Sequence, residues 1–403
     1  MRKKKDILFL CQFFHPEYIS SAQLPYETLQ TLKAAGYEVG CLCGYPHEYT
    51  KDTSIPVKED LNGISVRRLR YIQLDRSGFL GRLVNYFSFT LMVFLNLWRT
   101  AEYKTVVVYS NPPVLPWIAS WAKLMFGTKF VFVSYDLYPE VATVTNTLRE
   151  GSFICRLMEH INKCVFRRAD GVVALSSEMK NYISQHRDID PEKITVIPNW
   201  YSDKPRKSGT REENSFHETV GDRFVVSYFG NMGTMQDMQT ILDAIRLLRK
   251  DPDVFFLFAG HGNKMEKLKQ VIREEQLDNV KVYDFLQGQD FQDALQISDC
   301  ALISLEKGAT GLCVPSKTYS YMMQGLPLLA IMDPCDIVSD IESGAGRWVR
   351  NGESERLAEA IRSLAADQQA TAKMREVCRQ IYLEKYTTPI CTEQYVDLFR
   401  KLM

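Results

Sequence analysis

Short apolar runs alternate with longer amphipathic stretches through most of this chain. The runs at 7–13, 38–43, 64–69, 105–109, 130–134, 171–175 and 193–197 have the length of buried strands. Between most of them apolar residues recur at helical spacing, as at 115–126, at 153–168 and in the stretch ending at Ala35. Gly36 then stands where a glycine ends a helix. The polar, mixed-charge stretch 201–223 breaks the rhythm and has the composition of a linker. The alternation then resumes, with strands at 224–229, 254–259, 280–285, 300–305 and 327–331 and helices between them. Strand–helix alternation on both sides of one polar break predicts an α/β protein of two doubly wound, mostly parallel sheets. The domains expected are 1–200 and 201–387, followed by a terminal helix at 388–402.

Residues 79–98, FLGRLVNYFSFTLMVFLNLW, fit this rhythm poorly, because 83–98 carry no charge. Sixteen uncharged residues fall short of the roughly 20 a membrane-spanning helix needs. Asn85, Ser88, Thr90 and Asn96 also interrupt the run. Two readings stay open. One is a buried core helix; the other is a helix dipping one face into a bilayer, with Arg76 and Arg82 at the headgroups and Trp98 at the interface.

Ligands of open α/β sheets bind beyond the carboxyl ends of the strands, so the strand-end loops are where chemistry is sought. The most informative is Gly311-Leu-Cys-Val-Pro-Ser-Lys-Thr-Tyr-Ser-Tyr-Met-Met-Gln-Gly-Leu-Pro-Leu-Leu-Ala330. It reads as a loop, a short helix and a Gly-x-Pro turn into a strand. Pro315 and Ser316 suit a helix start, the serine by capping an unpaired N–H. Lys317 and Thr318 then fall in the first turn, where the helix dipole disfavours a cation by about 0.3–1 kcal/mol. A lysine there makes sense if it shares an anion with the backbone, and a diphosphate is the obvious one. Gly230-Asn231-Met-Gly233 and Gly260-His261-Gly262 end two other strands, and their glycines let backbone approach a phosphate. In the first half, Ser134-Tyr-Asp136-Leu-Tyr-Pro-Glu140 ends a strand with two carboxylates. Asp136 and Glu140 suit the orientation or deprotonation of an acceptor hydroxyl, although Asp136 also fits as a helix cap. Ser110 and Asn111 end another strand and are expected to shape the acceptor pocket. His15 and His261 read equally as site or ordinary loop residues.

The run Pro-Ser-Lys-x-x-x-Tyr-Met-x-x-Gly-x-Pro resembles the donor motif of family-4 glycosyltransferases, retaining enzymes of the GT-B fold. The likeness extends over nearly the whole chain. It implies an acceptor domain first, a nucleotide-sugar domain second, a cleft between them, and a last helix (388–403) returning to the first domain. Ser20 and Ser21 stand where many relatives carry a glycine pair near the donor phosphates. The usual pattern also has an arginine and a lysine in the first loop of the second domain, where this chain has Asn231 and Gln236. It has two glutamates eight positions apart, where this chain has Leu312 and Ser320. Enzymes of O-antigen, capsule and colanic-acid assembly share Val-Pro-Ser-Lys-x-Tyr without the second glutamate. The resemblance therefore implies Lys317 as the principal diphosphate cation, with Ser316 assisting and Ser320 or Tyr321 near the ribose.

Composition narrows the class. The formal net charge is zero, which gives no reason to expect nucleic acid, and six dispersed histidines give no built-in metal site. No cofactor is expected beyond the substrate, a nucleotide sugar, for which the resemblance favours UDP. Arg2 and Lys3 to Lys5 open the chain, and Arg67, Arg68, Arg70, Arg76 and Arg82 crowd one region. Such clusters suit an anionic membrane or a phosphate-bearing acceptor, or are simply solvated faces. Ten scattered cysteines, several inside strand-like runs, fit buried thiols in a reducing compartment. With no signal-peptide core at the start, the expected place is the cytoplasmic face of the plasma membrane. The function these observations imply is sugar transfer from a UDP sugar to a polyprenyl-diphosphate-linked saccharide. The alternatives are an epimerase of the same fold and a non-catalytic partner subunit.

Overall fold

The computed structural model describes residues 3–46, 49–50, 54–75, 79–203 and 209–403. Arg2, Arg76 and residues 204–208 of the expected linker lie outside the described residues. The chain divides into two compact units. One comprises Met1–Asn199, Gly311–Val314 and Thr388–Met403, the other Trp200–Thr310 and Pro315–Thr387.

The first unit is built on an eight-stranded sheet of β1 (Lys5–Cys11), β2 (Val39–Gly44), β3 (Lys58–Leu61), β4 (Ile64–Leu69), β5 (Tyr103–Tyr109), β6 (Lys129–Ser134), β7 (Gly171–Ala174) and β8 (Ile194–Val196). Their order is β3-β4-β2-β1-β5-β6-β7-β8, and only the β3–β4 pair is antiparallel. The central strands are buried almost end to end, as helices on both faces of a parallel sheet require. β1 lies between β2 and β5, so the progression of strands reverses at the β1/β5 edge. The last helix, Thr388–Leu402, packs on the helix Ser20–Ala34. Cys391, Tyr395 and Phe399 are buried there, and the Thr31 and Thr392 hydroxyls meet at 3.0 Å.

The second unit carries six strands: β9 (Phe224–Asn231), β10 (Val254–His261), β11 (Val280–Tyr283), β12 (Cys300–Ser304), β13 (Leu328–Ile331) and β14 (Gly346–Val349). All pair in parallel, in the order β11-β10-β9-β12-β13-β14, and the reversal here is at β9/β12. Val226, Tyr228, Phe256, Phe258 and Leu302 from the sheet pack with Ile241 and Ile245 of the helix Met238–Leu247 in one core.

The uncharged segment forms the helix Phe79–Leu95, which buries Phe89 and Val93 and leaves a second apolar face outside. Asn85 is buried and bonds the Leu74 backbone in both directions, at 2.7 and 2.8 Å, and Ser88 donates to the Ile72 carbonyl at 3.1 Å. Leu80, Phe87, Leu91, Phe94 and Leu95 are exposed instead, as is Trp98 beyond the helix. Their spacing of three, four and seven puts them on one face. Among the described residues no helix is long and apolar enough to cross a membrane. The arginines are not one solvated cluster. Arg68 is buried, pairs with Glu59 at 2.5 Å and donates to the Pro56 and His15 carbonyls.

Candidate active site

At the β9/β12 reversal, where a parallel sheet leaves a crevice beyond its strand ends, stands Lys317. It is the first residue of the helix Lys317–Gln324. Its Nζ lies 3.5 Å from the centroid of the Tyr228 ring and donates to the Asn231 carbonyl at 3.2 Å. The Tyr228 hydroxyl donates to the same carbonyl at 3.1 Å. Among the described residues no carboxylate pairs with Lys317. Desolvation therefore pushes its pKa well below the usual lysine value. A desolvated cation held only by a ring face and one carbonyl is set up for an anion from outside.

The rest of the motif is less uniform. Pro315 is buried and its carbonyl accepts the Thr318 hydroxyl at 2.7 Å. Ser316 precedes the helix, but its hydroxyl makes no capping bond and is exposed. The cap expected of it is replaced by the Thr318 N–H bonding the Pro315 carbonyl at 3.2 Å. Ser320 is buried, and its hydroxyl donates to the Lys317 carbonyl at 2.8 Å. Tyr321 is fully buried. Its hydroxyl accepts the Phe229 N–H at 2.6 Å and lies 3.2 Å from the Phe229 carbonyl. Both of its polar bonds serve the end of β9, which makes Tyr321 a structural group rather than a ribose ligand.

The two glycine loops are interlocked. A Cβ at Gly260 would meet the Gly230 carbonyl oxygen at 1.9 Å, so β10 approaches β9 this closely only with glycine at 260. Gly262, at φ 128, would place a Cβ 2.5 Å from the Met232 backbone. The Asn231 side chain occupies the space that a Cβ at Gly233 or Gly262 would need. Gln236 does not replace the absent lysine. Its Oε1 accepts the Gly233 N–H at 2.9 Å and so braces the loop from within. The His261 carbonyl accepts the Met232 N–H at 2.6 Å.

In the first unit the loops after β1, β5 and β6 carry the expected residues. The Ser110 hydroxyl accepts the N–H groups of Tyr135 and Asp136 at 3.0 and 3.1 Å, fixing the loop after β6. Asp136 lines a small cavity with Ser110, Phe132 and Phe166. Burial pushes its carboxyl up to about 6, and no described residue donates to it. It is not a helix cap, because Pro139 holds that position before the helix Glu140–Val144. Glu140 is not a second free carboxylate: it pairs with Arg187 at 2.6 Å, and both are mostly buried. Its expected catalytic part gives way to anchoring the loop. Asn111 follows Ser110, half-buried. His15 stacks on Tyr26 with centroids 4.5 Å apart, and its carbonyl is held by Arg68 at 2.9 Å. Ser20 and Ser21 open the helix Ser20–Ala34, at its positive end.

Tyr228 and Arg187 were not legible as site residues. The tyrosine lies inside an apolar strand, and the arginine follows a helix without any motif. Among the described residues no cluster of three or more His, Cys, Asp or Glu could hold a metal ion.

Known proteins share this fold. The profile of the glycosyl transferase 4-like domain matches residues 25–200, and that of the glycosyl transferases group 1 matches 210–381. A Pseudomonas aeruginosa protein named "Probable glycosyltransferase WbjE" is 28% identical over 310 residues, 76% of each chain. WcaI of Escherichia coli K12, named for colanic acid biosynthesis glycosyl transfer, is 21% identical over 327 residues, covering 77% of this chain and 79% of its own. Among solved structures, Anabaena HepE in complex with UDP-glucose aligns with a TM-score of 0.74 at 18% identity, covering 98% of this chain and 100% of its own. Sucrose-phosphate synthase of Thermosynechococcus elongatus aligns with 0.76 at 15% identity, covering 99% of each. With both halves matched in this order on two parallel-sheet units, the chain belongs to the family-4 glycosyltransferases of the GT-B fold, of the polysaccharide-biosynthesis type.

Proposed function

We propose that the protein moves a sugar from a nucleoside-diphosphate sugar, a UDP sugar in the first instance, to a saccharide carried on a polyprenyl diphosphate. The transfer proceeds with retention at the migrating carbon, on the cytoplasmic face of a membrane to which the protein attaches peripherally. The observation that carries this reading is Lys317, a desolvated cation with no carboxylate partner among the described residues, at the reversal point of the second sheet. Cleavage of the sugar–phosphate bond leaves negative charge on the departing diphosphate. A fixed cation stabilises that charge more as it develops, which lowers the barrier. Asp136, poised near 6, orients the acceptor hydroxyl and takes its proton. Retention rests on the family likeness, and HepE with UDP-glucose supports the donor class.

The outer face of the helix Phe79–Leu95 supports a lipid-borne acceptor, because an exposed row of Leu, Phe and Trp is costly in water and at home at a bilayer interface. Incubation with candidate UDP sugars and membranes holding lipid-linked acceptors, read by mass spectrometry, tests the reading. A glycosylated lipid is expected. An epimerised nucleotide sugar, or no product from any donor, contradicts it.

A further inference from the structure

The second unit contains another cation at its strand ends that the diphosphate reading does not use. Lys264 lies in the first turn of the helix Asn263–Glu274, after β10. Its Nζ is 2.5 Å from Glu306 Oε1, 2.6 Å from the Gln236 carbonyl oxygen and 3.2 Å from that of Thr234. An ammonium has three protons to donate, and these acceptors take all three, so Lys264 has none left for a ligand. The loop after β9 is tied down further by the Lys264 N–H on the Met232 carbonyl at 3.0 Å and the Glu306 N–H on the Met235 carbonyl at 2.8 Å. With the Gln236 N–H on the Gly233 carbonyl and Lys317 on that of Asn231, every carbonyl from 231 to 236 accepts a bond inside the protein.

That pattern has a consequence for the amides. In a trans peptide the N–H points opposite to the preceding carbonyl. The Thr234 N–H therefore faces away from the bond that holds the Gly233 carbonyl. The Met235 N–H faces away from the carbonyl that Lys264 holds. Neither N–H finds an acceptor among the described residues. We propose that Lys264, with Glu306, is a positioning residue that fixes peptide units 233–235 so that their N–H groups bind the donor diphosphate. These amides would do the work of the arginine and lysine that the usual family pattern carries where this chain has Asn231 and Gln236. The proposal rests on the donor-site reading above.

Titration of UDP and uridine into wild type, Lys264→Met, Glu306→Gln and the double variant tests it, with melting temperatures recorded alongside. UDP affinity falls about tenfold in Lys264→Met and about threefold in Glu306→Gln, and the double variant is no worse than Lys264→Met alone, as for two partners of one interaction. Uridine, which has no diphosphate, binds all four alike. If Lys264→Met does not fold, the near-isosteric Glu306→Gln carries the comparison. Unchanged UDP affinity in the folded variants, or uridine affinity falling in step with that of UDP, overturns the proposal. UDP binding that Lys317→Ala abolishes but both clamp variants keep overturns the clamp alone. A folded wild type that binds no UDP overturns the donor reading and the clamp with it.

Discussion

Lys317 and Asp136 carry opposite charges in similar surroundings, and burial shifts each toward its neutral form. For Lys317 the depressed pKa is a property of the empty site, and an arriving diphosphate raises it again. Between those two values, UDP binding takes up a proton, and affinity falls as pH rises. Calorimetry over a pH series above the phosphate ionisation near 6, in buffers of different ionisation enthalpy, measures that uptake. Its absence would mean that Lys317 is already charged in the free protein or does not meet the phosphate. Asp136 works in the other direction. A base must be deprotonated, so turnover should rise with pH through about 6. Asp136→Asn should lose both the activity and that limb while keeping UDP affinity; pH–rate profiles beside calorimetry check this. An unchanged limb would assign the ionisation elsewhere. Lys317 was legible because a lysine opposes the dipole of the helix it begins. Glu140 was misread because its partner, Arg187, lies 47 positions away, beyond anything local spacing reveals.

At the scale of elements, the apolar helix is the clearest case of a pattern that needs its burial to be interpreted. Hydropathy alone made Asn85 an argument against a membrane span and could not say which face it takes. In the fold Asn85 faces inward and Phe87, Leu91 and Leu95 face out. Each such side chain contributes about 1.5–3 kcal/mol when it leaves water, against about 1 kcal/mol for a surface basic residue. Flotation with phosphatidylglycerol-containing vesicles should therefore persist in part at high salt and be lost in Phe87→Glu/Leu91→Glu. That variant should melt within a few degrees of wild type, since exposed positions change stability by about 0.5 kcal/mol or less. Flotation unaffected by the double substitution would move the contact to another surface. Neutralising Arg67, Arg68 and Arg70 together is not a clean alternative, because Arg68 is a buried partner of Glu59 and its loss should unfold the sheet edge. Strands with continuous apolar runs were legible. β3, Lys-Glu-Asp-Leu, was not, because an exposed edge strand keeps no hydrophobic signature.

At the scale of the whole molecule, each of the two sheets reverses its strand order once, and each reversal is flanked by residues to which the proposed transfer assigns a part. Ser110 and the loops after β1 flank the first; Lys317, Asn231 and the paired glycine loops flank the second. Strand–helix alternation made the two sheets legible, but strand order is set by which apolar faces meet across the chain, which spacing does not encode. Among the described residues the two carboxylates absent from the motif have no counterpart paired with Lys317. The most direct test is the rate of sugar transfer to a lipid-linked acceptor by wild type and Lys317→Ala, with both proteins shown to be folded. A charge-assisted contact to a diphosphate is worth about 1.5–3 kcal/mol, so the alanine variant should lose at least about tenfold in transfer, together with UDP affinity, and arginine should restore part of it. An alanine variant that transfers sugar at the wild-type rate contradicts the account.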